Sequence, residues 1–346
     1  MTTPAPAPRD SSGNPSTQQQ PDSTRADPPR TDSTRHASTR HASTRPGTAG
    51  PDNPRAGFAR PRAHRPRWFV AFLRHPSALF GTAVVLLLLL SAGLSFIWTP
   101  YDPQRANPYD QWLSPSFTHL LGTDNIGRDI FSVLLVGARV TVGVALGSAV
   151  VAAIVGIALA ALGALTARWV REGVAVLVDV LIAFPTLLIA MMLASAFGGS
   201  LLVVVLAVGF SFGVNIGRVS RPELRRVRRA DFVLAGRAAG RGPVRNLTTH
   251  LLPNVAPVFI VQLSWAMAVA ILAEAGLSYL GYGAPSGTPS WGRMLAELQS
   301  YIGIHPWSVL WPGLAITLTV LAFNLLGDAI RDVTDPRLTR APVVTA

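Results

Sequence analysis

Apolar residues along this chain gather into six runs, at about 78–98, 140–167, 174–196, 201–216, 255–280 and 311–326, separated by polar or arginine-bearing segments. The longer runs reach the roughly 20 residues that a helix needs to cross the hydrocarbon of a bilayer. Backbone polar groups in lipid must be satisfied within their own segment, so each run predicts a helix. The fold class predicted is an all-α membrane protein with six transmembrane helices. Just ahead of the first run, residues 67–74 (RWFVAFLR) set an aromatic pair between arginines, which reads as an interfacial piece. Gly143 and Gly147, four apart in the second run, are suited to close helix contact.

The polar segments carry the organisation. Residues 1–66 are rich in Pro, Ser, Thr and Arg with short repeats such as Asp32-Ser33-Thr34-Arg35, and contain too few apolar residues to offset the entropy of ordering. They are expected to be a disordered tail. Residues 67–98 then form the interfacial segment and first span, 99–138 an outer loop, 139–338 a helical core and 339–346 a short tail. The segment between the fourth and fifth runs, 218–254, holds Arg218, Arg221, Arg225, Arg226, Arg228, Arg229, Arg237, Arg241 and Arg245. An arginine at the bilayer centre costs about 2.5 to 3.5 kcal/mol on the mildest scale, so this segment belongs in water. Arginine also collects in cytoplasmic loops, which sets its side. With this loop inside, both termini fall in the cytoplasm.

Within that loop the period is helical. Asp231 reads as an N-cap, and Phe232, Ala235 and Ala239 make one apolar stripe. Gly240, Gly242 and Pro243 break it, and Val244, Leu247 and Leu251 begin a second short helix that leads through Leu252-Pro253-Asn254 into the next run. Two short helices have too little surface for a core of their own. They suit a knob that enters a socket on another protein.

Composition removes several chemistries. The 346 residues carry a formal net charge of +12 with no lysine and no cysteine. Without lysine there is no P-loop and no Schiff base; without cysteine there are no disulfides, thiolate nucleophiles or cysteine metal sites. Topology alone explains the positive charge, so nucleic acid is not an expected partner. No nucleophile, paired carboxylate or ligand cluster stands at a usable spacing, and neither a catalytic residue nor a metal site is expected. The outer run Leu121-Gly122-Thr123-Asp124-Asn125-Ile126-Gly127-Arg128-Asp129 lacks the ligand spacing of a calcium loop. Asx-turns and a helix cap account for its aspartates. Asp179 and Glu274 are ionisable groups at membrane depth and candidates for a translocation path, or for buried polar contacts between spans.

The pattern Asp231-Phe232-Val233-x-Ala235-x-Arg237-Ala238-x-Gly240, followed by His250-x-Leu252-Pro253-Asn254, resembles the "EAA" loop of permease subunits in binding-protein-dependent ABC importers. It departs from that pattern at Leu234, where the family has glutamate, and at Gly236, where it has alanine. The run at 121–129 is similar to the segment after the first span in the dipeptide, oligopeptide and nickel branch. Pro289-Ser290-Trp291-Gly292, Phe323-Asn324-Leu325-Leu326-Gly327-Asp328 and Asp335-Pro336-Arg337-Leu338 are similar to the same branch.

The resemblance implies a type I importer permease fold in the cell membrane and inward movement of di- or oligopeptides or a related small solute. It implies a second homologous permease subunit, two cytoplasmic ATPase subunits that carry the ATP and Mg, an extracytoplasmic solute-binding protein and contact with membrane lipid. It also implies that Asp231, Phe232, Val233, Ala235, Arg237, Ala238, Ala239, Gly240, Val244, Leu247, His250 and Pro253 form the coupling surface for the ATPase. An ion-coupled secondary transporter or channel using Asp179 and Glu274 stands as the alternative, although no inverted repeat of the kind such folds carry is found.

Overall fold

The computed structural model of the chain describes Phe72 and residues 75–334. The expected tail at 1–66, most of the interfacial segment and the motif at 335–338 lie outside the described residues. Within them the fold is helical: α1 (Pro76–Ser95), α2 (Ile130–Leu165), α3 (Arg168–Ile182), α4 (Thr186–Phe197), α5 (Leu201–Arg228), α6 (Asp231–Ala238), α7 (Pro243–Asn246), α8 (Leu252–Tyr279), α9 (Trp291–Leu298) and α10 (Pro306–Thr334). Five stretches are long and apolar enough to cross a membrane, and α3 with α4 makes a sixth if that pair is one broken span.

Two elements differ from the sequence pattern for visible reasons. α2 begins at Ile130, inside the stretch expected to be outer loop, because Asp129 caps it: the Ser132 backbone N–H donates to Asp129 Oδ2 at 2.8 Å. Its 36 residues make a rod of about 54 Å at 1.5 Å per residue, longer than the hydrocarbon alone requires. The third apolar run is not one helix. Pro185 lacks the N–H that would continue α3 and disfavours helical backbone at Phe184, so the chain turns by 79° between α3 and α4.

Packing centres on α2 lying along α5, with α8 against both and α10 covering α8. Three glycines one turn apart on α5 let the first pair meet. A Cβ at Gly209 would come within 2.6 Å of Val151 Cβ, one at Gly213 within 2.5 Å of Val155 Cβ, and one at Gly217 within 2.9 Å of Leu159 Cβ. Close approach of this kind gains dispersion contact, the main attraction available between helices in lipid. Of the pair expected to do this on α2, Gly147 faces Val205, whereas Gly143 faces open space. The outward side of α1 is apolar, with Leu86, Leu87, Leu89 and Leu90 exposed, as a lipid-facing surface requires.

Candidate docking surface

At 28 residues α5 is longer than the hydrocarbon core of a membrane is thick, and its final turns carry Arg221, Arg225, Arg226 and Arg228 on one side while Leu224 and Val227 stay buried on the other. Pro222 sits within this helix and leaves the Arg218 carbonyl without its i+4 donor. The chain then reverses into α6. Asp231 is the first helical residue and not the cap; Ala230 holds the cap position with extended backbone and no side-chain bond. The carboxylate still lies in the first turn, where the helix dipole favours it.

α6 ends in a Schellman motif. The Gly240 N–H donates to the Arg237 carbonyl at 2.9 Å and the Arg241 N–H to the Gly236 carbonyl at 3.1 Å. Gly240 takes φ +77°, which glycine adopts without steric cost. After the turn, α7 runs into a wider turn over Leu247–Leu251, in which the Leu252 N–H reaches back five residues to the Leu247 carbonyl. Pro253 follows directly and supplies no N–H of its own, and α8 then enters the bundle.

Burial divides the expected coupling residues into a root and a tip. Val233 is fully buried among Leu224 and Val227 of α5, Leu247 and Leu251 of the wider turn, and Val255 and Phe259 of α8. Gly236 lies against Asn246 so closely that a Cβ there would be 2.8 Å from Asn246 Oδ1. The helix face that packs inward is thus Val233 and Gly236. The stripe of Phe232, Ala235 and Ala239 faces outward, together with Asp231, Arg237, Ala238 and Pro253. Phe232 is 46 % exposed, Leu234 48 % and Val244 62 %.

His250 ties the tip to the root. The Arg241 Nη1 donates to its Nε2 at 2.9 Å, its ring stands 5.8 Å from that of Phe232, and the Asn254 amide donates to its carbonyl at 2.7 Å. Leu234 and Arg241 are exposed on this surface, whereas Asn246 is buried in the root against Gly236. Three large apolar side chains are thus exposed beside a run of arginines, at the end of the bundle where α5 and α8 meet the elbow.

The two carboxylates expected at membrane depth have separate partners. Glu274 is buried in α8 and accepts from Ser278 Oγ at 2.6 Å, and that hydroxyl accepts from the Ala284 N–H at 2.8 Å, so the carboxylate helps to hold the turn after α8. Asp179 on α3 is exposed and lies 3.8 Å from Arg218 of α5.

At the opposite end of the bundle the run at 121–129 folds on itself. Asp124 Oδ1 accepts from the Ile126 and Arg128 backbone N–H groups at 2.9 and 2.8 Å, an Asx arrangement, and Arg128 bridges Asp124 and Glu297 of α9. Burial pulls the Arg128 guanidinium down, but the neighbouring Asp124 and Glu297 carboxylates outweigh it and hold the group above its ordinary value. Among the described residues, no three His, Asp or Glu side chains converge in a way that could hold a metal ion.

Sequence comparison supplies the context for this geometry. Residues 152–340 match the family model described as the binding-protein-dependent transport system inner membrane component. The chain is 38% identical over 269 residues to a putative peptide transport system permease protein of Brucella abortus, covering 77% of this chain and 90% of the relative. It is 33% identical to the dipeptide transport system permease protein DppC of Alkalihalophilus pseudofirmus, over 78% of this chain and 89% of the relative. It is 35% identical to the nickel transport system permease protein NikC of Escherichia coli, over 74% of this chain and 92% of the relative. The matched segment contains the α5–α6–α7–α8 elbow in full, and the chain belongs to the family of binding-protein-dependent transport system inner membrane components, a multi-pass permease subunit of an ABC importer.

Proposed function

We propose that the α6–α7 elbow is the element through which a separate ATPase drives this permease, and that the solute moved is a di- or oligopeptide or a small solute of related class. The observation that carries the reading is the division of the elbow into a buried root, Val233 and Leu247, shared with the ends of α5 and α8, and an exposed apolar tip at Phe232, Leu234 and Val244. A push on the tip reaches two spans directly because the root is part of their core. In this reading ATP and Mg bind only the ATPase subunits, since a chain without lysine has no P-loop. A second, homologous permease supplies the other elbow, and closure of two ATPases draws the elbows together so that the spans alternate between inward-open and outward-open states. A solute-binding protein delivers cargo on the opposite side. The arginine-rich end and both termini are assigned to the cytoplasm by the positive-inside rule. The peptide and nickel names of the relatives support the solute class.

The absence of native cysteine gives a clean test. A cysteine placed at Ala239 is treated in native membranes with a thiol crosslinker and the adduct identified by mass spectrometry. An ATPase subunit in the adduct is the expected result. Correctly oriented, well-expressed protein that yields no such adduct overturns the coupling assignment.

A further inference from the structure

A cavity of about 620 Å³ opens at the arginine-rich end of the bundle, between the end of α2, the start of α3, the end of α5 and the exposed side of α6. Its polar wall is made by Arg171, Arg221, Arg225, Arg228, Arg229 and Arg237. The single carboxylate in that wall is Glu172, and Glu172 is already paired with Arg168 at 2.8 Å. Arg228 shares this wall with Arg171 of α3 and Arg237 of α6, so three elements bring cations to one cavity. Cations gathered around one cavity repel one another; the dipole at the C-terminal end of α5 offsets part of that cost for Arg225 and Arg228, and an anion among them would relieve the rest. The opposite wall is apolar, formed by Leu159, Ala160 and Leu224 on helices long enough to cross a membrane. Trp169, in the first turn of α3 and 77 % exposed, stands at the same level between Arg168 and Arg171. A tryptophan with arginines at a span end marks the depth of the membrane–water interface.

We propose that this cavity binds the headgroup of an anionic phospholipid, its phosphate held by the arginines and its acyl chains running along the apolar wall of α2 and α5. The chemistry selects this occupant over a free anion because the site is half apolar and lies at interface depth. Basic pockets between spans at such a depth recognise lipid phosphates, and guanidinium groups grip phosphate oxygens bidentately. Leu234 of α6 lines the same cavity, so an occupant there also touches the elbow. The binding itself does not depend on the elbow's coupling role.

The test uses the full chain, purified in detergent and stripped of lipid. Native mass spectrometry follows retention of added phosphatidylglycerol or phosphatidylcholine, with and without excess inorganic phosphate. The wild-type chain is expected to retain phosphatidylglycerol preferentially and to keep it in phosphate. Each arginine neutralised should weaken retention roughly fivefold, so Arg225→Gln with Arg229→Gln should reduce it about 25-fold. Arg225→Lys with Arg229→Lys, which keeps the charge but loses the bidentate grip, should retain more than the glutamine pair and less than wild type, and a thermal midpoint of the glutamine pair equal to wild type shows that its loss is not misfolding. Equal retention of both lipids, or retention unchanged in the glutamine pair, overturns the proposal. Displacement by inorganic phosphate assigns the cavity to a free anion instead. If an added ATPase subunit expels the lipid and shields the arginines from phenylglyoxal, the occupant is an acidic protein surface and the lipid assignment falls.

Discussion

Gly240 holds the turn of the elbow through its backbone alone. At φ +77° a proline, whose ring fixes φ near −65°, cannot take its place, and proline also removes the N–H that donates to Arg237. Gly240→Pro is therefore expected to abolish uptake while the protein remains in the membrane, read by a transport assay beside an immunoblot of the membrane fraction. Gly240→Ala, which costs about 1 to 2 kcal/mol for left-handed backbone, should give a partial loss. Near-normal uptake in the proline variant would separate the turn from coupling. That glycine was legible in the sequence, because a helix-period stripe ending at a glycine and followed by Gly242-Pro243 is a stop signal. The facing of its neighbours was not. Periodicity finds a stripe, but α6 has the bundle on one side and open surface on the other, and both sides are apolar. Phe232 and Ala235 therefore read as naturally inward as Val233 and Gly236 do, and the large side chains of α5 and α8 decide the matter by burying Val233. Asp231 likewise carries a capping residue type but follows the cap by one position.

The elbow transmits force only if its root is firm and its tip is free, and the two can be separated by experiment. Val233→Ala removes two buried methyl groups and should destabilise the chain by about 2 kcal/mol, seen as a lower thermal midpoint in detergent. Val244→Ala, at an exposed site, should leave that midpoint unchanged yet weaken retention of the ATPase on an affinity column. Equal effects of the two on stability would deny the division into root and tip. Among the longer elements, the start of α2 could have been read from Asp129-Ile130-Phe131-Ser132, a capping residue before an apolar run. The break between α3 and α4 had its signal in Pro185, which the hydropathy of residues 174–196 outweighed. The wide turn at Leu247–Leu251 has no such signal, since one extra residue in a helical turn leaves composition and period almost untouched. The link between α3 and α5 bears on the ion-coupled alternative. Asp179 and Arg218 are both exposed, and a pair of this kind contributes about 0 to 1 kcal/mol. Asp179→Asn is expected to keep uptake within roughly twofold of wild type, an energy difference inside that same range, with no change in its dependence on sodium or pH. A severe loss joined to a shifted pH profile would return Asp179 to the translocation path.

For the whole molecule, hydropathy was enough to count the runs, because the bilayer imposes one length and one composition on every span. How the spans meet is a different question, settled by which small residues face one another. The two glycines of α2 at Gly143 and Gly147 drew attention by their spacing, yet the chain carries a longer series on α5, Gly209, Gly213 and Gly217, in the same interval of four. Spacing marks a helix face without naming the partner it meets, and only the α5 series lies on Val151, Val155 and Leu159 along its full length. This contact joins the pair of spans that packs most extensively and continues toward the elbow through Ile216 and Leu224, which share the core that holds Val233. A leucine at Gly213 would set its Cβ 2.5 Å from Val155 Cβ and 3.0 Å from the Ala152 carbonyl, a backbone group that cannot swing aside. The helices would have to part, at a cost of about 1 to 3 kcal/mol or more. Gly213→Leu is expected to lower the thermal midpoint of the purified chain and to reduce coupled uptake, whereas Gly143→Leu, with nothing within 4 Å, should leave the midpoint unchanged. If the two variants melt alike, α2 and α5 do not meet along this face, and the path by which α6 moves the spans must run through α8 alone.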